Sequence, residues 1–218
     1  MTRLLAIVAA LVVIGGGAYW YMTQTGQNEL VEAAATADAD IDTSMVEEMT
    51  LGEPDAPVTV IEYASYTCPH CRTFHLGPFG ELKADYIETG QVHYIYREVY
   101  FDRPGLWAGL VARCAGPDRF FGLVDEIYRQ QPEWARQESA EAVAGALRRI
   151  GLTAGIEPEA LDACLSNAEK AVAMQAVFEA NAAEHDINST PSFVINGTTY
   201  QNMSYDDFSA LIDAEIGS

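Results

Sequence analysis

A chain of 218 residues has room for one sizeable domain, or one domain carrying an insertion, and it can bury a core without staples. About half of it is apolar and a fifth charged, the balance of a globular protein. Its 12 basic residues, of which only Lys83 and Lys170 are lysines, face 32 acidic ones for a net charge of −20. That charge excludes attraction to a nucleic-acid backbone, and the acidity reads as solubility and mutual repulsion.

After Met1-Thr2-Arg3, Leu4 to Met22 carry no charge. As a helix those 19 residues span ~28 Å, close to the ~30 Å hydrocarbon core of a bilayer. Tyr19-Trp20-Tyr21 resembles an interfacial belt, and Arg3 leaves the N-terminus on the cytoplasmic side. Residues 1–22 are therefore either a retained anchor, which the length favours, or a signal segment removed on export. Either route delivers the rest of the chain to an oxidising compartment. Residues 23–44 are polar and alanine-rich without a sustained apolar stripe, and read as a flexible tether rather than an oligomerising helix.

The folded part begins near Met45. Thr50 to Pro57 is dense in turn formers, and Val58 to Ala64 is the nearly unbroken β-branched run of a central buried strand. A helix starts at the Cys68-Pro69 step, since proline suits the first helical position. Pro78 kinks or divides it, and its second part carries Phe79, Leu82, Tyr86 and Ile87 to about Gly90. Gln91 to Val99 alternates as a second strand, which makes a βαβ unit with parallel pairing. Residues 102–184 are helical almost throughout. Apolar spacing marks helices around Leu106–Cys114 and Phe120–Tyr128, one from Ser139 to Ile150 with Gly151 beyond it, one from Pro158, and a long one from Ser166 to about His185. Strands return at Ser192–Ile195 and Thr198–Tyr200 around the hairpin signal Asn196-Gly197, and Ser204 caps a closing helix through Phe208, Leu211 and Ile212. The order is βαβ, a helical insertion over 102–184, then ββα, so that 45–101 and 185–218 form one α/β domain. Trp107, Phe120, Phe121, Tyr128 and Trp134 read as core, some of them lining a groove beside Cys68; His75, His93 and His185 read as structural or surface residues.

Four cysteines in an exported chain read as two pairs. In Cys68-Pro69-His70-Cys71 the first sulfur lies at a helix start, where unpaired N–H groups and the positive dipole end favour a thiolate. Cys68 is thus the attacking sulfur, and His70 adds a donor or a charge beside it. Cys71, one turn further in, is the more buried resolving thiol, and Pro69 fixes the backbone between them. A metal reading would need Cys68, Cys71, His75 and a fourth ligand that does not present itself; haem attachment would need histidine at Arg72. The redox reading needs no metal and no cofactor. Cys114 and Cys164, 50 residues apart, read as a structural disulfide worth roughly 4 kcal/mol before strain, with buried free thiols or a second redox pair as alternatives. Thr190-Pro191 stands directly before a strand: either an ordinary strand-entry proline, or one that lies against the two cysteines and leaves the Thr190 backbone open to pair with a substrate strand.

Glu62-Tyr63-Ala64-Ser65-Tyr66-Thr67 leading into Cys-Pro-His-Cys, the helical insertion, and Thr190-Pro191 before a hairpin together resemble the bacterial DsbA family. The resemblance covers about Met45 to the C-terminus. It implies a thioredoxin fold interrupted by a helical insertion, a cis Pro191, and donation of the Cys68–Cys71 disulfide to newly exported proteins; the N-terminal segment places the chain in the periplasm, tethered to the inner membrane by residues 4–22 or released after signal cleavage. It also implies reoxidation by a membrane partner linked to quinone, and it matches Glu62 to an acid beneath the active site with a proton-relay role. Two other functions compete: an isomerase or reductase of the same fold kept reduced by a membrane partner, and a non-catalytic binding or chaperone module whose cysteines are only structural.

Overall fold

The computed structural model describes residues 41–217. The expected anchor or signal segment, 1–22, and most of the expected tether, 23–44, lie outside them. Among the described residues no helix is long and apolar enough to cross a membrane.

Five strands form one sheet in the order β1-β3-β2-β4-β5. The central strand is β2, Val58–Ala64, buried along nearly its whole length because both faces are covered. It pairs in parallel with β3, Val92–Glu98, and antiparallel with β4, Ser192–Ile195. Parallel pairing demands a crossover, which is supplied by α1, Pro69–His75, and α2, Pro78–Leu82, with a π-helical turn at Lys83–Ile87 burying Tyr86 and Ile87. Pro78 opens α2 and so divides the crossover helix in two. β5, Thr198–Gln201, returns from β4 through Asn196 and Gly197, whose φ values of 42° and 85° make the tight left-handed turn of a two-residue hairpin. The closing helix α9, Tyr205–Ile216, is capped by the Ser204 hydroxyl, which accepts from the Asp207 amide at 3.2 Å.

Turn chemistry around Thr50 concealed one strand. β1, Met49–Leu51, is only three residues long and pairs antiparallel with the edge of β3.

Between β3 and β4 run six helices: α3, Arg103–Cys114; α4, Pro117–Arg129; α5, Gln131–Trp134; α6, Ala140–Thr153; α7, Pro158–Leu165; and α8, Ala168–Glu184. Gly151 does not end α6 but lies inside it. A Cβ there would stand 2.9 Å from Leu161 Cδ2, so the glycine admits α7 at close range, and Gly155, with φ 80°, follows the helix instead. α8 starts later than Ser166 because the Asn167 side chain caps it, accepting from the Lys170 amide at 2.8 Å. Phe120, Tyr128 and Trp134 are fully buried, and Trp107 and Phe121 are packed at the core's margin. One apolar core runs from Val60, Tyr94 and Tyr96 of the sheet into Leu123, Ile127 and Trp134 of the inserted helices, and the residues from Thr43 onward form one compact unit.

Two ties bind the inserted helices further. Cys114 and Cys164 form a disulfide between α3 and α7, with their Cα atoms 6.0 Å apart. The neighbouring Arg113, 8 % exposed, reaches Glu98 Oε2 at 2.5 Å and the Glu47 carbonyl at 2.7 Å, which joins α3, the end of β3 and the segment before β1. A buried pair is costly to break, because the surviving charge stays buried without its partner. Arg113→Met is therefore expected to lower unfolding stability by about 3–5 kcal/mol in urea titration, whereas a loss under about 1 kcal/mol would mean that the pair does not hold these elements together.

Candidate active site

The site forms where β2 ends and α1 begins. The Ser65 carbonyl accepts from the Cys68 amide at 3.1 Å, closing a turn that leaves Cys68 as the N-cap of α1, extended at φ −77° and ψ 121°. A capping residue normally answers the open N–H groups of the first turn with a side-chain oxygen; here the side chain is a sulfur. Pro69 occupies the next position, where its missing N–H costs nothing.

The two sulfurs, both unbridged in this structure, meet different surroundings. Cys68 is part-exposed and Cys71 fully buried. Cys68 is lowered to about 5, chiefly because the Cys71 thiol donates to its thiolate, and further by the Thr190 side chain and the backbone N–H groups of Cys71 and His70. Cys71 is pushed far above its ordinary range, first by burial and then by its hydrogen bond to Cys68 and the nearby Glu62 carboxylate. At neutral pH Cys68 is therefore mainly thiolate while Cys71 holds its proton.

Opposite the sulfurs, the Thr190–Pro191 peptide bond is cis, and the Thr190 carbonyl lies 3.3 Å from Cys68 Sγ, accepting a hydrogen bond from it when Cys68 is protonated. The antiparallel pairing of β4 with β2 brings Pro191 here, one residue before Ser192, which stands opposite Tyr63. Beneath the pair lies Glu62, fully buried on β2. It accepts a hydrogen bond from the Tyr94 hydroxyl, and its Oε1 has no protein partner among the described residues. Burial raises its pKa to about 8, with the Cys68 charge adding to the effect.

Several participants carried no sequence signal. Tyr94 and Tyr96 share one face of β3 by strand alternation, yet only the fold aims Tyr94 at Glu62. The Thr67 hydroxyl donates to Asp102 at 2.7 Å, and Asp102 also caps α3 by accepting from the Gly105 amide at 2.7 Å. Arg72 Nε donates to the Tyr128 carbonyl at 3.0 Å, which fastens α1 to α4. His70 is exposed, and its backbone N–H is among the groups that lower Cys68. The depression beside Pro69 is lined by Thr67, Asp102, Pro104, Pro132 and Arg136, not by the aromatic residues expected there. His75 is buried with Nε2 2.9 Å from Asp125 and its ring stacked on Phe79, a structural engagement.

This geometry, a thiolate at a helix mouth facing a cis-proline across a parallel-centred sheet, defines a thioredoxin-fold dithiol protein. The Thioredoxin family model matches residues 44–214. A Rickettsia bellii protein provisionally named a protein-disulfide oxidoreductase is 35 % identical over 170 residues, 78 % of this chain and 64 % of that protein, so the chain spans less than two thirds of its length. Disulfide bond formation protein D of Bacillus subtilis is 28 % identical over 171 residues, covering 76 % of each chain. The solved structure of Wolbachia pipientis alpha-DsbA1 superposes with a TM-score of 0.73 at 24 % identity, over 80 % of this chain and 96 % of that one, a likeness of fold. The chain belongs to the thioredoxin family.

The opposite shifts of Glu62 and Cys68 predict opposite stability profiles for the reduced protein. Glu62 titrates at about 8 folded but near 4.5 unfolded, so the folded state holds the extra proton and stability falls as pH rises between those values. Cys68 titrates at about 5 folded and near 9 unfolded, so it contributes stability that grows as pH rises through that window. Urea titrations of reduced Cys68→Ser should show stability falling from pH 5 to 8, and those of reduced Glu62→Gln should show it rising from pH 5 to 9. Parallel profiles in the two variants would contradict the assignment.

Proposed function

We propose that the chain donates its Cys68–Cys71 disulfide to exported proteins in the periplasm. The observation that carries this reading is the contrast between the two sulfurs, Cys68 held as a thiolate and Cys71 held as a thiol. Anything that stabilises the thiolate stabilises the reduced form, and so makes the disulfide the stronger oxidant.

In the donating direction a substrate thiolate attacks Cys68 Sγ, the part-exposed sulfur. The Cys68–Cys71 bond breaks, a substrate–Cys68 mixed disulfide forms, and the bonding pair leaves on Cys71. Cys71 then takes up a proton, which Glu62 is placed to supply, since it remains protonated up to about pH 8 in the same buried space. A second substrate thiolate attacks the substrate's own sulfur in the mixed disulfide, and Cys68 leaves as a thiolate. Its low pKa makes it the better leaving group. The substrate is oxidised by two electrons and the chain is reduced by two. The Thr190 backbone, beside Cys68 at the cis-proline, is the place for an extended substrate segment to pair. A membrane partner passing electrons to quinone restores the disulfide. The uncharged run from Leu4 to Met22 and the Cys114–Cys164 bridge both support an oxidising location, with residues 4–22 as tether or export signal.

A reduced, unfolded client protein incubated with the oxidised whole chain tests the proposal. Wild type should form client disulfides, and Cys68→Ser should fall to the buffer background. Cys71→Ser, activated at Cys68 as a mixed disulfide with glutathione, should pass oxidation on to the client in single turnovers only. A wild type that forms no more client disulfide than Cys68→Ser would contradict the proposal and leave a reductase or a binding or chaperone module as the better reading.

A further inference from the structure

The turn that presents Cys68 is gripped from outside the sheet. Gln131, the first residue of α5, is 6 % exposed, and its Nε2 donates to the Tyr66 carbonyl at 2.7 Å and the Cys68 carbonyl at 2.9 Å. An amide nitrogen carries two hydrogens, so its donors are fully engaged on carbonyls that bracket Thr67. The Cys68 carbonyl also receives the Arg72 amide at 3.2 Å, the opening bond of α1. The neighbouring donors are committed elsewhere: Tyr128 Oη reaches the Ser65 carbonyl at 3.3 Å, and Arg72 Nε the Tyr128 carbonyl at 3.0 Å.

Holding that carbonyl has a direct consequence for the sulfur. The ψ angle of Cys68, 121°, sets the direction of its carbonyl and, by the same rotation, the direction of the Cα–Cβ bond that carries Sγ relative to the next residues' N–H groups. A carbonyl clamped by both Gln131 and the Arg72 amide therefore holds Sγ over the His70 and Cys71 N–H groups that stabilise its thiolate.

We infer that Gln131 is a positioning residue for thiol–disulfide exchange, acting through the Tyr66 and Cys68 carbonyls to keep the nucleophile in its capping geometry. The inference rests on Cys68 being the exchanging sulfur. Without the amide the Cys68 peptide plane is released, the thiolate loses part of its N–H contact, and the disulfide becomes a weaker oxidant.

Gln131→Met keeps the length and removes the donors. Trp134→Phe serves as the comparison, because it deletes a hydrogen bond from the same helix, Trp134 Nε1 to the Ile127 carbonyl at 2.8 Å, without touching the turn. The reduced whole chains are titrated by ultraviolet thiolate absorbance and equilibrated with glutathione buffers. Gln131→Met should raise the Cys68 midpoint by about one pH unit and shift the glutathione equilibrium about tenfold toward the disulfide form. Trp134→Phe should leave both at wild-type values while lowering the melting temperature at least as much. A wild-type midpoint in Gln131→Met would overturn the inference, as would equal shifts in both variants, which would trace to a softened α5 rather than to the lost donors. Failure of the wild type to oxidise a client would count against the function proposed above, and the titration would still decide the role of Gln131.

Discussion

The structure turns on an asymmetry between two sulfurs one helical turn apart. Cys68 sits at the helix mouth, where the Cys71 thiol, the Thr190 side chain and the backbone N–H groups of His70 and Cys71 all favour its negative charge. Cys71 sits inside, where burial first and then its hydrogen bond to Cys68 oppose charge. A pair in like surroundings would share its charge and exchange without direction. Here the exposed sulfur is the better leaving group and the buried one is the base that must regain its proton. Glu62, raised to about 8 by the same burial, holds a proton at neutral pH for the same reason that Cys71 does.

The rest of the fold maintains that difference. Parallel pairing of β2 with β3 requires the crossover that places α1, with Cys68 at its start, directly after the central strand. Antiparallel pairing of β4 with β2 brings the cis Thr190–Pro191 bond against the sulfur. The inserted segment covers the turn between: Tyr128 holds Ser65, Gln131 holds Tyr66 and Cys68, and Asp102 holds Thr67. The insertion is thus part of the wall of the site, and the core that continues from the sheet into α4 and α5 keeps that wall in place.

Sequence was informative where chemistry is local. The β-branched run of β2, proline after the capping cysteine, and Asn196-Gly197 each specify their structure within a few residues, and the structure follows them. Elements stabilised only by distant partners were hidden: β1 exists through its pairing with β3, and α5 is too short to show a period. Gly151 reads as a stop because a glycine after a helical run usually is one, whereas its function is to admit Leu161. Within the site, the cysteines and the proline were legible, but Tyr94 and Gln131 were not. Their partners lie 32 and 63–65 residues away, and nothing near them in the chain marks the contact.

The reduction potential of the Cys68–Cys71 pair, measured on the whole chain equilibrated with glutathione buffers, tests the central claim most directly. A thiolate stabilised at Cys68 beside a protonated Cys71 predicts a potential well above that of the glutathione couple, so that the chain is reduced by mild excess glutathione and passes its disulfide on. A potential near that of thioredoxin, about −270 mV, would contradict the account: the site would then be built to reduce disulfides, and the isomerase or reductase reading would take its place.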